Sequence, residues 1–160
     1  MLLTGTFPRT LDDKNRLALP RRLREQMGMP GLLYLTPGAE QTLWVYTPDC
    51  LQRVAEKLEQ SPGRSEDARV YGRLFFAQSE AANVDRAGRL LVPEKLAAFA
   101  GLKHEVVLLG VRDHLELWDA VRWQEYLSRN APRFDVVAAS AFGATIATTQ
   151  ATGGAAPPVG

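Results

Sequence analysis

The chain of 160 residues carries 19 Lys and Arg against 18 Asp and Glu, a formal net charge of +1, with 46% hydrophobic and 23% charged residues. This is the composition of an ordinary globular protein of one domain, or of two small halves that share a core. It excludes the strongly basic balance of a protein that coats nucleic acid without selection, and no apolar run approaches the ~18 residues of a membrane span.

In chain order, the first ten residues lack the basic start and long apolar stretch of a signal peptide, which points to a cytoplasmic protein. Strand residues lead to Asp12, and a tight turn follows. Asn15 stands just before Arg16 in that turn, and Asn is among the few residue types that tolerate positive φ. A short apolar strand over 17–19 then meets Pro20, which fits the first position of a helix over 20–27, and Gly28 is placed to end it. Residues 31–36 and 43–46 read as a strand pair around Pro37 and Gly38. A helix over 48–60 follows Thr47.

The stretch from Ser61 to Arg64 reads as a break, and a helix over 65–78, with Ser65 as its N-cap, would connect the halves. Val70, Leu74 and Ala77 give it an apolar stripe at helical spacing. Arg69 and Arg73 on it read as a solvated face.

From 84 the pattern starts again. With a constant offset of 73, Asp12 matches Asp85, Arg16 matches Arg89, Leu17 matches Leu90, Pro20 matches Pro93, Leu23 matches Leu96 and Gly28 matches Gly101. Six identities in 19 positions stand against roughly one from background composition. Two copies are too few for a solenoid and suit a pseudo-twofold pair. Gly88 occupies the place of Asn15, so both turns need a left-handed residue just before the arginine. The second copy continues with a helix over 93–100, strands over 105–110 and 115–118 with one residue deleted, and a helix over 119–128 that Asp119 could cap. Trp44, Trp118 and Trp123 lie in apolar segments and read as core or interface. Residues 136–160 carry no charge and no periodicity, which reads as a disordered tail. The expected organisation is a first repeat over 1–60, a connecting helix over 61–80, a second repeat over 81–130 and a tail over 131–160.

Catalysis finds little support. His104 and His114 have no Cys or Asp at metal-ligand spacing and no nucleophile beside them, and the turn over 86–89 is too short for a phosphate loop. Asp12 and Asp13 sit next to Lys14 and Arg16, as neutralised turn residues do. The lone Cys50 excludes an intramolecular disulfide and a cysteine-based metal cage. We therefore expect no enzyme, no metal and no cofactor.

The duplicated turns remain. Asp12 and Asp85 can each clamp the arginine four residues on, which is a structural role. A clamped guanidinium is also preorganised, and its planar fork suits phosphate or guanine edges. Lys14 and Arg86 add a second cation that no internal clamp requires. Residues 1–30 hold Arg9, Lys14, Arg16, Arg21, Arg22 and Arg24 against Asp12, Asp13 and Glu25, so the first loop is expected to contribute more. A protein-interaction scaffold using the same loops is the alternative. An RNA-binding module lacks exposed aromatic platforms among the basic residues.

Two copies of Asp-x-x-x-Arg, each followed by apolar residues and Pro, together with the segment from Leu115 to Asp119, resemble the MraZ family over roughly residues 1–130. This is the duplicated member of the AbrB/SpoVT-type swapped-hairpin group of bacterial DNA-binding proteins. The resemblance implies an α+β fold with a β-barrel core formed by two pseudo-twofold repeats. It also implies a ring-shaped homo-oligomer, an octamer or larger, on double-stranded DNA with direct repeats. Such a protein would be a nucleoid-associated transcriptional regulator of a cell-division and cell-wall operon. By the motif match, Arg16 and Arg89 take the DNA-contacting role, with Lys14 and Arg86 beside them and Asp12, Asn15, Asp85 and Gly88 shaping the turns. Asn15 departs from the glycine usual before the first arginine.

Overall fold

In the computed structural model, residues 1–61 and 66–143 are described; the expected break at 62–64 and the Ser65 cap lie outside them, as do residues 144–160. The chain forms two compact units, Met1–Val121 and Arg122 onward. The first repeat, and the second as far as Val121, belong to the first unit.

That unit begins with β1 (Leu3–Thr10), β2 (Arg16–Ala18), α1 (Arg21–Gln26), β3 (Leu32–Pro37) and β4 (Leu43–Tyr46). Then come α2 (Pro48–Gln60) and α3 (Glu66–Phe76). The second repeat supplies β5 (Glu80–Asn83), β6 (Arg89–Leu91), α4 (Glu94–Phe99), β7 (Glu105–Arg112) and β8 (His114–Asp119). The Thr47 hydroxyl accepts the Cys50 N–H at 3.3 Å at the start of α2, with Pro48 in the first turn. Pro20 and Pro93 instead sit one position earlier than expected, as N-caps. Their ψ values of 133° and 136° are extended, so the helices begin at Arg21 and Glu94.

Six strands pair in the order β1-β7-β8-β4-β3-β5, and β2 pairs with β6 in a separate antiparallel ladder. The α+β class and the two-repeat core hold. The barrel is not closed: no ladder joins β1 to β5 among the described residues. The hairpins β3–β4 and β7–β8 are the strand pairs that the sequence suggests.

One hydrophobic core uses equivalent positions from both halves. Leu17 and Leu90 are fully buried and face each other across the β2–β6 ladder. Leu19 with Val92, Leu23 with Leu96, Leu33 with Val106 and Leu35 with Leu108 are buried at the same offset. With the one-residue deletion, Leu43 and Leu115, Val45 and Leu117, and Tyr46 and Trp118 continue the series. The duplication is therefore a duplication of core positions as well as of turns. A smaller cluster of Tyr46, Cys50 and Phe75, with Trp44, Leu51, Val54 and Phe76 against it, holds α2 and α3 to the sheet. The apolar stripe expected on α3 is only partly covered: Phe75 is buried, whereas Val70, Tyr71 and Leu74 are exposed.

The second unit contains α5 (Ala120–Asn130, which starts in the first unit), a single 3₁₀ turn at Ala131–Arg133, and α6 (Phe134–Phe142). The tail expected over 131–160 is thus helical to Phe142. Alanines at 138, 139 and 141 favour helix whether or not an apolar face is present, so absent periodicity does not mean absent structure. The remainder of that segment lies outside the described residues.

Candidate nucleic-acid interface

The two duplicated turns have nearly the same geometry. In the first loop the Asn15 N–H donates to the Asp12 carbonyl at 3.0 Å, and the Asp12 N–H donates to the Arg16 carbonyl at 3.1 Å. Asp12 Oδ1 accepts the backbone N–H of Lys14 at 2.9 Å and of Arg16 at 2.8 Å, while Oδ2 accepts Arg16 Nε at 2.7 Å. In the second loop the Gly88 N–H donates to the Asp85 carbonyl and the Asp85 N–H to the Arg89 carbonyl, both at 2.9 Å. Asp85 Oδ1 accepts the N–H groups of Ala87 and Arg89, each at 2.9 Å, and Oδ2 accepts Arg89 Nε at 2.8 Å. A carboxylate hydrogen-bonding to backbone two and four residues on is the Asx-turn device.

Asn15 has φ +56° and Gly88 has φ +77°, the left-handed seat read from the sequence. The backbone N–H of Arg16, above all, holds the Asp12 carboxyl below the usual carboxylate range, with the Arg16 side chain adding to it against the opposing effect of burial. The Arg89 backbone N–H does the same for Asp85. Both carboxylates are accordingly ionised at neutral pH, and each fixes its guanidinium through Nε. In both arginines the hydrogen bond to the aspartate runs through Nε. Lys14 and Arg86 are exposed, and no ion pair or side-chain hydrogen bond engages either among the described residues.

Each loop is tied to the opposite repeat. The Leu19 N–H donates to the Gly88 carbonyl at 3.0 Å, and the Val92 N–H donates to the Asn15 carbonyl at 2.8 Å. With Leu17 and Leu90 buried between them, the loops stand at opposite ends of the β2–β6 ladder. The eight residues expected at the site therefore form two groups, Asp12, Lys14, Asn15 and Arg16 in one loop and Asp85, Arg86, Gly88 and Arg89 in the other, joined through the ladder between them.

Sequence reasoning missed one neighbour, Arg24. Its Cζ lies 2.5 Å from the point where a Cβ on Gly88 would sit, so its guanidinium covers the second loop. The signal that could have found it is the difference between Asn15 and Gly88. A side chain fits the left-handed seat in one loop, whereas Arg24 occupies that space in the other. Other cations near the N-terminus are engaged locally. Arg21 Nε pairs with Glu25 at 2.7 Å, and Arg9 donates to the carbonyls of Ala18 and Pro8.

No helix among the described residues is long and apolar enough to cross a membrane. A family model described as "MraZ protein, putative antitoxin-like" matches the chain twice, over residues 2–74 and 75–143. Proteins named Transcriptional regulator MraZ are similar over most of the chain. The one from Moorella thermoacetica is 34% identical over 137 residues, covering 86% of this chain and 94% of the relative. That from Kineococcus radiotolerans is 37% identical over 133 residues, 83% of this chain and 92% of the relative. That from Thermomicrobium roseum is 38% identical over 122 residues, 76% of this chain and 84% of the relative.

Proposed function

The chain belongs to the MraZ family, and from that premise we propose that it is a non-enzymatic transcriptional regulator whose two clamped loops bind double-stranded DNA. The observation that carries the reading is the pair of matched Asp–Arg clamps, each holding its guanidinium through Nε. Each clamp also has an unpaired cation at its side, Lys14 or Arg86. A preorganised fork suits bidentate hydrogen bonding to a guanine edge or a phosphate.

Assembly completes the reading. One chain offers only a few phosphate contacts, each contributing about −0.9 to the slope of log K against log salt, so a single copy binds weakly. Several copies on successive direct repeats gain avidity of order 10²–10⁴. The exposed apolar side chains of Tyr71, Leu74 and Phe99, which line a groove with Trp44, supply a surface for a neighbouring subunit in a homo-oligomeric ring. The proposal extends to control of a cell-division and cell-wall operon from the nucleoid, which the family resemblance supports.

The test is retention of duplex DNA that carries direct repeats, against the same DNA without them, by wild type, Arg16→Ala and Arg89→Ala. Loss of repeat-dependent retention, with oligomer mass and melting temperature unchanged, is the expected outcome. Retention by both variants at wild-type affinity would remove the loops from the interface.

A further inference from the structure

The two loops are not electrostatically equivalent. Arg24 belongs to α1, in the first repeat, yet lies on the second loop, its Cζ 2.5 Å and its Nε 2.7 Å from where a Gly88 Cβ would be. Its Nε is buried without a hydrogen-bond partner, and no ion pair reaches the side chain among the described residues. Arg24 as a whole is half-buried, and a buried N–H without an acceptor is costly, so an anion beside it would be favoured. Beside it opens a cleft of about 210 Å³, lined by Arg24, Pro30, Gly31, Asp85 and Arg86 among others. Asp85, the acid on that lining, already accepts Arg89 Nε and two backbone N–H groups.

By the offset of 73, Arg24 of the first half is matched by Ala97 of the second, and Arg86 of the second by Asp13 of the first. The second loop therefore gathers Arg24, Arg86 and Arg89 against Asp85, a balance of +2. The first sets Lys14 and Arg16 against Asp12 and Asp13, a balance of zero. One of the cations of residues 1–30, Arg24, thus lies on the second loop rather than the first.

We propose that Arg24 and Arg86 form a binding cleft for a phosphodiester group of duplex DNA, making the second loop the anchoring half of the interface. The inference rests on the DNA-binding reading above. Two arginines lining a small open cleft suit a tetrahedral anion whose non-bridging oxygens can each accept from a planar fork.

The experiment measures binding of the full-length protein to a fluorescein-labelled random-sequence 40-base-pair duplex by anisotropy, across roughly 50–200 mM salt. Each lost phosphate contact flattens the log–log slope by about 0.9, or about 3.5-fold less affinity lost over that range. Arg24→Ala and Arg86→Ala should each flatten the slope by at least one such step. Arg24→Lys should keep the slope and lose affinity, because it retains the charge without the fork. Arg22→Ala, an exposed arginine on the same helix, should change nothing. Melting temperature and oligomer mass identify any variant that fails to fold, and Arg86→Ala then carries the test alone. A wild-type slope in both Arg24→Ala and Arg86→Ala overturns the cleft while leaving the loops as the DNA interface. Absence of salt-dependent binding by wild type overturns the DNA reading itself. Inorganic phosphate at constant ionic strength should neither displace the duplex nor raise the melting temperature. A rise seen in wild type and lost in Arg24→Ala would make the ligand a free anion and refute the phosphodiester.

Discussion

Replacing Gly88 with Ala tests the loop without any DNA. Gly88 has φ +77°, and an L-residue in the left-handed region costs roughly 1–2 kcal/mol. The new Cβ would also meet Arg24 Cζ at 2.5 Å, but that atom is near the end of a long side chain and can move aside. The backbone term therefore dominates, and Gly88→Ala should lose about 1–2 kcal/mol, roughly 2–8 °C in melting temperature. Asn15→Gly is the control. Asn already sits at φ +56° with its strain tolerated, so the change should fall within a few tenths of a kcal/mol. Urea unfolding followed by tryptophan fluorescence gives both differences. Adding Arg24→Ala to Gly88→Ala separates the steric part, since the double variant should lose less than the sum of the two singles. If Gly88→Ala is as neutral as Asn15→Gly, the second loop does not need its left-handed seat and the explanation for glycine there is wrong.

Leu17→Ala removes a fully buried side chain facing Leu90, and the expected loss is about 3 kcal/mol in urea unfolding; a loss under about 1 kcal/mol contradicts the shared core. Burial alone would push His114 down, but hydrogen bonds to the Glu116 and Asp113 carboxylates outweigh it and raise the imidazole above its ordinary value. Its stabilising contribution is therefore complete below the unfolded value of about 6.5 and is lost as pH rises through the folded one. Asp12, Asp85, Asp113 and Glu116 are lowered, so theirs is present above the ordinary carboxylate range and lost as pH falls. Melting temperature should peak between about pH 5 and 6.5, and His114→Gln should flatten the decline above that window; an unchanged decline would release His114 from the role. The Cys50 thiol is buried, so a disulfide reagent should label it slowly in native buffer and rapidly in urea; fast native labelling would contradict its burial.

Much of the site is legible in the sequence because each clamp is written within five residues. Asp12 and Arg16, like Asp85 and Arg89, need no distant partner to define their geometry. The hairpins β3–β4 and β7–β8 are legible for the same reason. The pairing of β1 with β7 is not, since Leu3 meets Arg112 across more than a hundred residues and Gly5 and Pro8 interrupt any alternation. Periodicity marks Val70 and Leu74 as a face of α3 but does not say what covers it. Arg24 escapes because a search for duplication rewards identity, whereas its counterpart is Ala97. Its role lies in a difference between the halves.

The crossed bonds from Leu19 to Gly88 and from Val92 to Asn15 have a consequence for how such a molecule can change. Separate half-length chains would meet by collision, and dilution would part them. Fusion holds each half against the other at an effective concentration of order mM, so this pairing does not depend on how much protein is present. In a dimer of identical chains, every substitution appears in both loops at once. A fused pair is free of that constraint: one half can acquire an arginine at residue 24 while the other keeps an alanine at 97, and the two loops can specialise without loss of the common core.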